Sequence, residues 1–228
     1  MEFGRAFTYP FEDKDWLSKL VMTVVMVIVS AIPLFGLVAL AALLGYTIEL
    51  VRNVRNGHPR PLPKWIDYGA KISLGGYVLL ALFIYNLPAL FLAVLTYGFG
   101  NLLGASLFGS LSYVVIVCCA LPVLFLYTIV TWSMLAVAIA RYRENGDNGE
   151  FYRFDKLFRA IQYNSSLTGQ WVLYSIFANI LISLIALIPC IGWIAAPALI
   201  YPVQGFMLGE YARLLATSEQ ENRQGIYH

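Results

Sequence analysis

The sequence predicts an all-α fold: a polytopic transmembrane helical bundle of six (or five) helices arranged as hairpins, with a short amphipathic interfacial helix. Of the 228 residues, 60% are hydrophobic and only 12% are charged, about half the charged fraction of a soluble domain. No Asp, Glu, Lys or Arg occurs between Lys19 and Glu49, between Lys71 and Arg141, or between Arg159 and Glu210. Because a charge in the hydrocarbon core costs several kcal/mol, these three apolar blocks indicate a membrane protein.

The charge pattern divides one integral membrane domain, residues 1–228, into seven segments. They are a cytoplasmic N-terminal segment (1–19), a first apolar block (20–48), a basic loop (49–71), two helices (72–140), a basic amphipathic loop (141–170), two helices (171–209) and a cytoplasmic tail (210–228). A crossing takes about 20 residues, so the second and third blocks each hold two helices. Within the second block, the Gly-rich residues 97–110 predict an uncharged loop.

The first apolar block leaves two alternatives open. Pro33 and Gly36 lie near its middle, in the same local pattern as Pro189 and Gly192 between the last two helices. This match predicts the same tight hairpin in both places. The alternative is one long helix that is kinked at Pro33 and tilted.

The orientation follows from the distribution of Lys and Arg. The 49–71 and 141–170 loops are rich in both, whereas the connections expected on the opposite side contain neither. The positive-inside rule therefore predicts that the rich loops and the C-terminus face the cytoplasm. A cytoplasmic N-terminus gives six crossings, and five crossings would put the N-terminus outside.

Two acidic residues stand one helical turn before an arginine, as Glu49 with Arg52 and Glu210 with Arg213. Each pair can neutralise itself at the membrane interface. The alternative is a carboxylate that couples protons or cations, for which Glu210 is the better candidate because Gln204 lies nearby on the same helix.

Uncharged polar and small residues within the blocks predict helix packing. Asn86, Asn179 and Gln204 are expected to hydrogen-bond neighbouring helices, and Gly205 and Gly209 have the spacing that lets helices approach closely. The spacing fits intramolecular packing and oligomerisation equally.

The two basic loops carry aromatic residues typical of a membrane interface. Trp65 and Tyr68 mark the point where the chain re-enters the membrane. Helical spacing of the apolar residues in 151–161 predicts an amphipathic helix on the membrane surface. Its candidate lipid-facing and cationic residues are Arg153, Phe154, Lys156, Phe158 and Arg159.

The sequence contains no motif of a hydrolase, a zinc peptidase or a nucleotide-binding loop. We therefore predict no catalytic, cofactor-binding or metal-binding residues and no cofactor, and we expect the protein not to be an enzyme. The net charge of +2 does not favour a nucleic-acid partner.

Four segments carry a resemblance to a known family: residues 9–16 (YPFEDKDW), 45–46 (GY), 51–57 (VRNVRNG) and 61–69 (PLPKWIDYG). Together they resemble the uncharacterised prokaryotic membrane family called domain of unknown function 4013, most densely over residues 7–80. Tyr68 stands where a second Trp is expected. The resemblance implies a bacterial or archaeal multi-pass membrane protein and carries no activity, cofactor or site residue.

These observations predict a multi-pass protein of a prokaryotic cytoplasmic membrane that acts as a non-catalytic interaction or accessory subunit. The alternative is a small transporter or channel component. The expected partners are the lipid bilayer, anionic lipid headgroups, and other membrane subunits or further copies of the chain.

Overall fold

The backbone folds mainly into helices. The computed structural model describes the backbone of residues 1–103, 107–142 and 148–225, and the side chains of residues 1–98, 114–142 and 149–221. Within these ranges the α-helices are α1 (Arg5–Thr8), α2 (Trp16–Ser30), α3 (Phe35–Arg55), α4 (Tyr68–Leu103), α5 (Leu107–Arg141), α6 (Phe154–Tyr163), α7 (Ser165–Ala186) and α8 (Ile191–Gly225). Two 3-10 helices, Tyr9–Glu12 and Asn148–Tyr152, precede α2 and α6. The predicted helical bundle is confirmed.

Five helices of the described chain are long and apolar enough to cross a membrane. The spans are Phe35–Arg55, Tyr68–Gly98, Val114–Arg141, Ser165–Ala186 and Ile191–Glu221. At 15 residues, α2 is about 22 Å long, which is shorter than a hydrocarbon core of about 30 Å. A crossing by α2 therefore stays a prediction.

A tight turn separates α2 from α3 within the first apolar block. The N–H of Phe35 donates to the carbonyl of Pro33 at 2.9 Å, and Leu34 between them has φ 69° and ψ −59°. This is the geometry of a γ-turn. A Cβ added to Gly36 would lie 2.2 Å from the carbonyl oxygen of Ser30, so glycine lets the two helices close on each other.

The turn between α7 and α8 repeats this arrangement. The N–H of Ile191 donates to the carbonyl of Pro189 at 2.7 Å, and Cys190 has φ 64°. A Cβ on Gly192 would lie 2.0 Å from the carbonyl oxygen of Ile185. The matched hairpins predicted from the sequence are confirmed, and the single kinked helix over the first block is wrong.

The closest helix pair is α3 with α4, which run antiparallel. A Cβ added to Gly45 would lie 1.9 Å from the carbonyl oxygen of Lys71, and one on Gly75 would lie 1.7 Å from that of Ala41. The two backbones therefore touch at two successive turns. The 56–67 loop joins these helices, and its second residue, Gly57, has a φ of 71°, a conformation typical of the residue that ends a helix.

Helix α8 lies alongside the C-terminal half of α3, in parallel. Gly205 faces the side chain of Leu50 and Gly209 faces that of Val54, since an added Cβ would come within 2.6 and 2.5 Å of them. Helix α8 also continues without a break through Pro197 and Pro202.

The buried core is concentrated at one end of the bundle, which we call the charged end. It comprises the C-terminal parts of α3, α5 and α8 and the N-terminal parts of α4 and α7. The largest fully buried side chains of the described part include Trp171, Tyr46, Tyr211, Leu50 and Val203. The turns at 31–34 and 187–190 lie at the opposite end, where the side chains are mainly exposed.

The loop predicted over residues 97–110 is wrong for most of its length. Helix α4 continues to Leu103 and α5 begins at Leu107, while residues 104–106 lie outside the described residues. The Gly residues of this segment cost a helix only about 1 kcal/mol each. In an apolar environment that cost is smaller than the penalty of unpaired backbone N–H and C=O groups.

Candidate functional site

A buried ion pair joins the segment before α2 to α2 itself, and its lysine also binds the 56–67 loop. The ammonium of Lys19 donates to the carboxylate of Asp13 at 2.7 Å and to the carbonyl of Leu62 at 2.7 Å. Both charged side chains are less than a tenth exposed. The N-terminal segment is therefore part of the folded bundle at its charged end.

The pKa of the Asp13 carboxyl reflects this environment. Burial by itself raises the pKa, but it is outweighed by the hydrogen bond and charge of Lys19, the N–H of Asp15 and the charge of Arg60. The pKa therefore lies below the ordinary value of an aspartate, and the Asp13 carboxylate is ionised at neutral pH.

Trp65 is packed into the same junction. Its ring stacks on the buried ring of Tyr46 with centroids 4.6 Å apart and planes 7° apart. Its indole N–H donates to the carbonyl of Lys19 at 3.1 Å. The ring of Tyr68 lies 6.2 Å away and is 37% exposed. Trp65 thus joins α2, α3 and the loop, whereas Tyr68 has an open surface.

An open groove of about 670 Å³ runs between the start of α2 and the end of the 56–67 loop. Trp65 and Tyr68 form one wall of the groove. Leu17 and Val21 of α2, 60% and 53% exposed, line the opposite side. Asp15 and Lys64 also face the groove, which therefore combines an apolar wall with two opposite charges.

The expected pairing of Glu49 with Arg52 is wrong in the described part of the structure. The carboxylate of Glu49 accepts from the ammonium of Lys71, which is 3% exposed and belongs to α4. The Nε of Arg52 is buried and has no hydrogen-bond partner among the described residues. The close approach of α3 to α4 explains the difference, because it brings Lys71 against the face of α3 that carries Glu49.

Glu210 forms the expected pair with Arg213 and has a second contact. Its carboxylate lies 2.8 Å from the guanidinium of Arg213 and is 5% exposed. It also accepts from the backbone N–H of Glu2 at 3.2 Å. Nearby, the hydroxyl of Tyr9 donates to the carbonyl of Pro202 at 2.9 Å. Glu210 therefore helps to fix the N-terminal segment to α8.

Two of the predicted polar residues meet between α7 and α8, and the third lies elsewhere. The side-chain amides of Asn179 and Gln204 both donate to the carbonyl of Ser175, at 3.0 and 3.1 Å. The amide of Asn86 is exposed on α4 and donates only to the carbonyl of Leu82 on its own helix, at 2.8 Å. Glu210 is engaged at the charged end, so these four residues do not come together.

The amphipathic segment of the second basic loop packs partly on protein. Phe151 and Leu157 are fully buried, and the carbonyl of Phe151 accepts from the hydroxyl of Tyr85 at 2.6 Å. Phe154 and Phe158 are 45% and 46% exposed. The apolar face expected to lie on lipid is therefore divided between the bundle and the outer surface.

Two of the three cations of this segment are paired locally. Arg153 pairs with Glu150 at 2.8 Å, Arg159 pairs with Asp155, and Lys156 is exposed. Such exposed pairs contribute little stability.

The described residues contain no group of three or more His, Cys, Asp or Glu that could hold a metal ion. Cys118, Cys119 and Cys190 are exposed.

Sequence reasoning missed the Asp13–Lys19 pair, the Lys71 partner of Glu49 and the contact of α3 with α4. The sequence contained one signal for the contact of α3 with α4, because Gly45 and Gly75 are small residues within two apolar helices. Nothing local to Asp13 or Lys71 indicates their partners.

The helical hairpins and the five long apolar helices define a membrane protein of unknown activity. The model of a family described as "protein of unknown function (DUF4013)" matches residues 25–193, and the chain belongs to this family. The resemblance seen in the sequence is thereby confirmed. No curated protein and no solved structure matches the chain.

Proposed function

We propose that this chain is a non-catalytic interaction or accessory subunit of a prokaryotic cytoplasmic membrane, and that it binds another membrane protein through α4 and α5. The observation that carries the proposal is an outer arm, formed by residues 86–98 of α4 and 114–132 of α5. None of these described side chains is buried.

Helices α4 and α5, which carry the outer arm, are longer than a helix needs to be to cross a bilayer. Helices α4 and α5 contain 36 and 35 residues, so each is more than 50 Å long at about 1.5 Å per residue. Their ends nearest the charged end pack on the bundle. Of the outer arm, Ile129 and Trp132 also pack against the core, whereas no described side chain of residues 86–98 and 114–128 is buried. Large side chains such as Phe91 and Phe125, 65% and 63% exposed, are free to pack against helices of a partner.

Asn86 supplies a polar contact on this surface. Its amide is exposed and is bonded, in the described structure, only within α4. In hydrocarbon a side-chain amide gains about 0.6 to 2 kcal/mol from a hydrogen bond to a neighbouring helix. An exposed amide within a membrane-spanning helix therefore favours a second protein as the neighbour.

The proposed orientation has the charged end in the cytoplasm. The basic 56–67 loop is bonded to α2 at Lys19, and Glu2 is bonded to α8 at Glu210. The positive-inside rule assigns this end to the cytoplasm. A small transporter or channel component is the weaker alternative, because Asn86 lies away from the Asn179 and Gln204 pair.

The test is photo-crosslinking in intact membranes. A photoreactive phenylalanine analogue replaces Phe91 or Phe125, and as a matched control it replaces Ile28, which is 64% exposed on α2. We expect protein adducts at positions 91 and 125 in clear excess over position 28, and a reduced yield when Asn86→Leu is added. An adduct of twice the chain mass would identify the partner as a second copy.

The proposal is wrong if positions 91 and 125 give no more protein adduct than position 28. An unchanged yield with Asn86→Leu would remove the role of the amide.

A further inference from the structure

The groove between α2 and the 56–67 loop has the order of polar and apolar groups found along a phospholipid. Asp15 immediately precedes α2, and Leu17 and Val21 follow at successive turns of one helix face. Val21 therefore lies about 6 Å further along the axis of α2 than Leu17, so the apolar side of the groove runs away from Asp15. A headgroup at Asp15 leaves the acyl chains beside Leu17 and Val21.

The charges available in the groove are one cation and one anion. Lys19 also faces it, but its ammonium is already bound by Asp13 and by the carbonyl of Leu62. Asp15 and Lys64 are exposed, and neither forms an ion pair with another described residue. A ligand that carries both a phosphate and an ammonium matches this arrangement, whereas a purely anionic headgroup would meet the carboxylate of Asp15.

The wall opposite α2 is fixed in place before any ligand binds. Trp65 is held by its stacking on Tyr46 and by its hydrogen bond to the carbonyl of Lys19. The exposed ring of Tyr68 continues this wall. Trp and Tyr rings of this kind are favoured at the depth of lipid headgroups. Because the wall is preorganised, a ligand does not have to order it.

We infer that this groove binds one molecule of phosphatidylethanolamine. The ammonium of Lys64 contacts the lipid phosphate, the carboxylate of Asp15 accepts from the ethanolamine ammonium, and the acyl chains lie along Leu17 and Val21. The inference concerns a face of the protein that is separate from the outer arm, and it does not depend on the partner proposed there.

Native mass spectrometry of the full-length purified protein tests the inference. Phosphatidylethanolamine, phosphatidylglycerol and phosphatidylcholine with identical acyl chains are added in turn, and the bound fraction is measured against lipid concentration. We expect phosphatidylethanolamine to bind most tightly. Lys64→Gln should weaken its binding about two- to fivefold, the range of one partly exposed charge contact. Lys14→Gln, which removes a neighbouring exposed cation outside the groove, should leave binding unchanged.

The variant Asp15→Asn separates the headgroup preference from general lipid binding. Asn serves as well as Asp before a helix, so the variant keeps the fold. Its affinity for phosphatidylglycerol should rise relative to that for phosphatidylethanolamine. The inference is overturned if the wild-type protein binds both lipids equally and Asp15→Asn changes nothing, or if Lys64→Gln behaves as Lys14→Gln does.

Discussion

Asp13 and Lys19 show how single residues attach the N-terminal segment to the bundle. Their pair is almost fully buried, and the Lys19 ammonium also binds a loop carbonyl 43 positions along the chain. Removal of one partner leaves the other as an unpaired buried charge, which typically costs about 3 to 5 kcal/mol. The pair therefore stabilises the closed junction between α2 and the loop even though it contributes no hydrophobic burial.

We predict that Asp13→Asn lowers the unfolding temperature of the detergent-solubilised protein at pH 7, and that Asp15→Asn, the exposed control, does not. The pKa of Asp13 is lower in the folded state, so its stabilisation is present above the ordinary aspartate pKa of about 4. That stabilisation is lost as the pH falls through the folded-state pKa. Thermal melts from pH 7 to pH 3 should show the difference between wild type and Asp13→Asn closing, and a constant difference would contradict this assignment.

The sequence indicates local partners more readily than distant ones. Glu210 and Arg213 are one turn apart on one helix, and they form the pair that this spacing predicts. Glu49 and Arg52 have the same spacing, but the partner of Glu49 is Lys71. The difference depends on how closely two helices approach, which a spacing rule within one helix cannot include. For the same reason the amphipathic 154–163 helix did not reveal that Leu157 faces protein and Phe158 faces outward.

The glycines of α3 and α4 decide the approach of these two elements. Gly75 contacts the backbone of α3, whereas at the next residue, Gly76, a Cβ would meet nothing within 4 Å. Helix α4 thus contains a required glycine directly beside a dispensable one.

We predict that Gly75→Ala destabilises the protein by about 2 kcal/mol or more, since the added methyl group overlaps a backbone carbonyl. Gly76→Ala should be neutral or stabilising by up to about 1 kcal/mol, because alanine favours a helix over glycine. Chemical denaturation of the two variants in the same detergent measures both effects. Equal stabilities for the two variants would show that α3 and α4 do not touch at Gly75.

The turns of the two short hairpins could be predicted from the sequence because both contain the same residue pattern. The shared Ile-Pro-x-x-Gly pattern ends one helix and lets the next begin against it, and the structure repeats the turn in both places. The Gly-rich 97–110 segment was expected to form a loop, but α4 continues to Leu103 and α5 begins at Leu107. Glycine does not by itself end a helix where no water is present to bind the backbone.

For the whole molecule, contacts at the charged end connect the N-terminal segment, the 56–67 loop and α8. These contacts are compatible with an even number of crossings in the first apolar block, and a crossing by the short helix α2 stays a prediction. The charge pattern of the sequence left six or five crossings open, and the structure excludes only the single kinked helix, because a turn separates α2 from α3.

We predict that Lys14 and His58 lie on one side of the membrane and Trp193 on the other. Cys118, Cys119 and Cys190 are replaced by Ala, and each of the three positions then receives a single cysteine. A membrane-impermeant maleimide should label Trp193→Cys in intact cells, and Lys14→Cys and His58→Cys only after permeabilisation. Labelling of Lys14→Cys in intact cells without labelling of His58→Cys would establish an odd number of crossings.

The uncharged turns have a consequence for biogenesis. Every Asp, Glu, Lys and Arg lies outside the three apolar blocks, and so the turns at 31–34 and 187–190 are free of charge. In the proposed orientation these turns are translocated across the bilayer, and no ionic side chain is translocated with them. The membrane potential exerts about 2.3 kcal/mol per elementary charge per 100 mV, and here it acts on no translocated charge. Each hairpin can therefore insert as a paired unit, with its ionic residues left on the side where the ribosome delivers them.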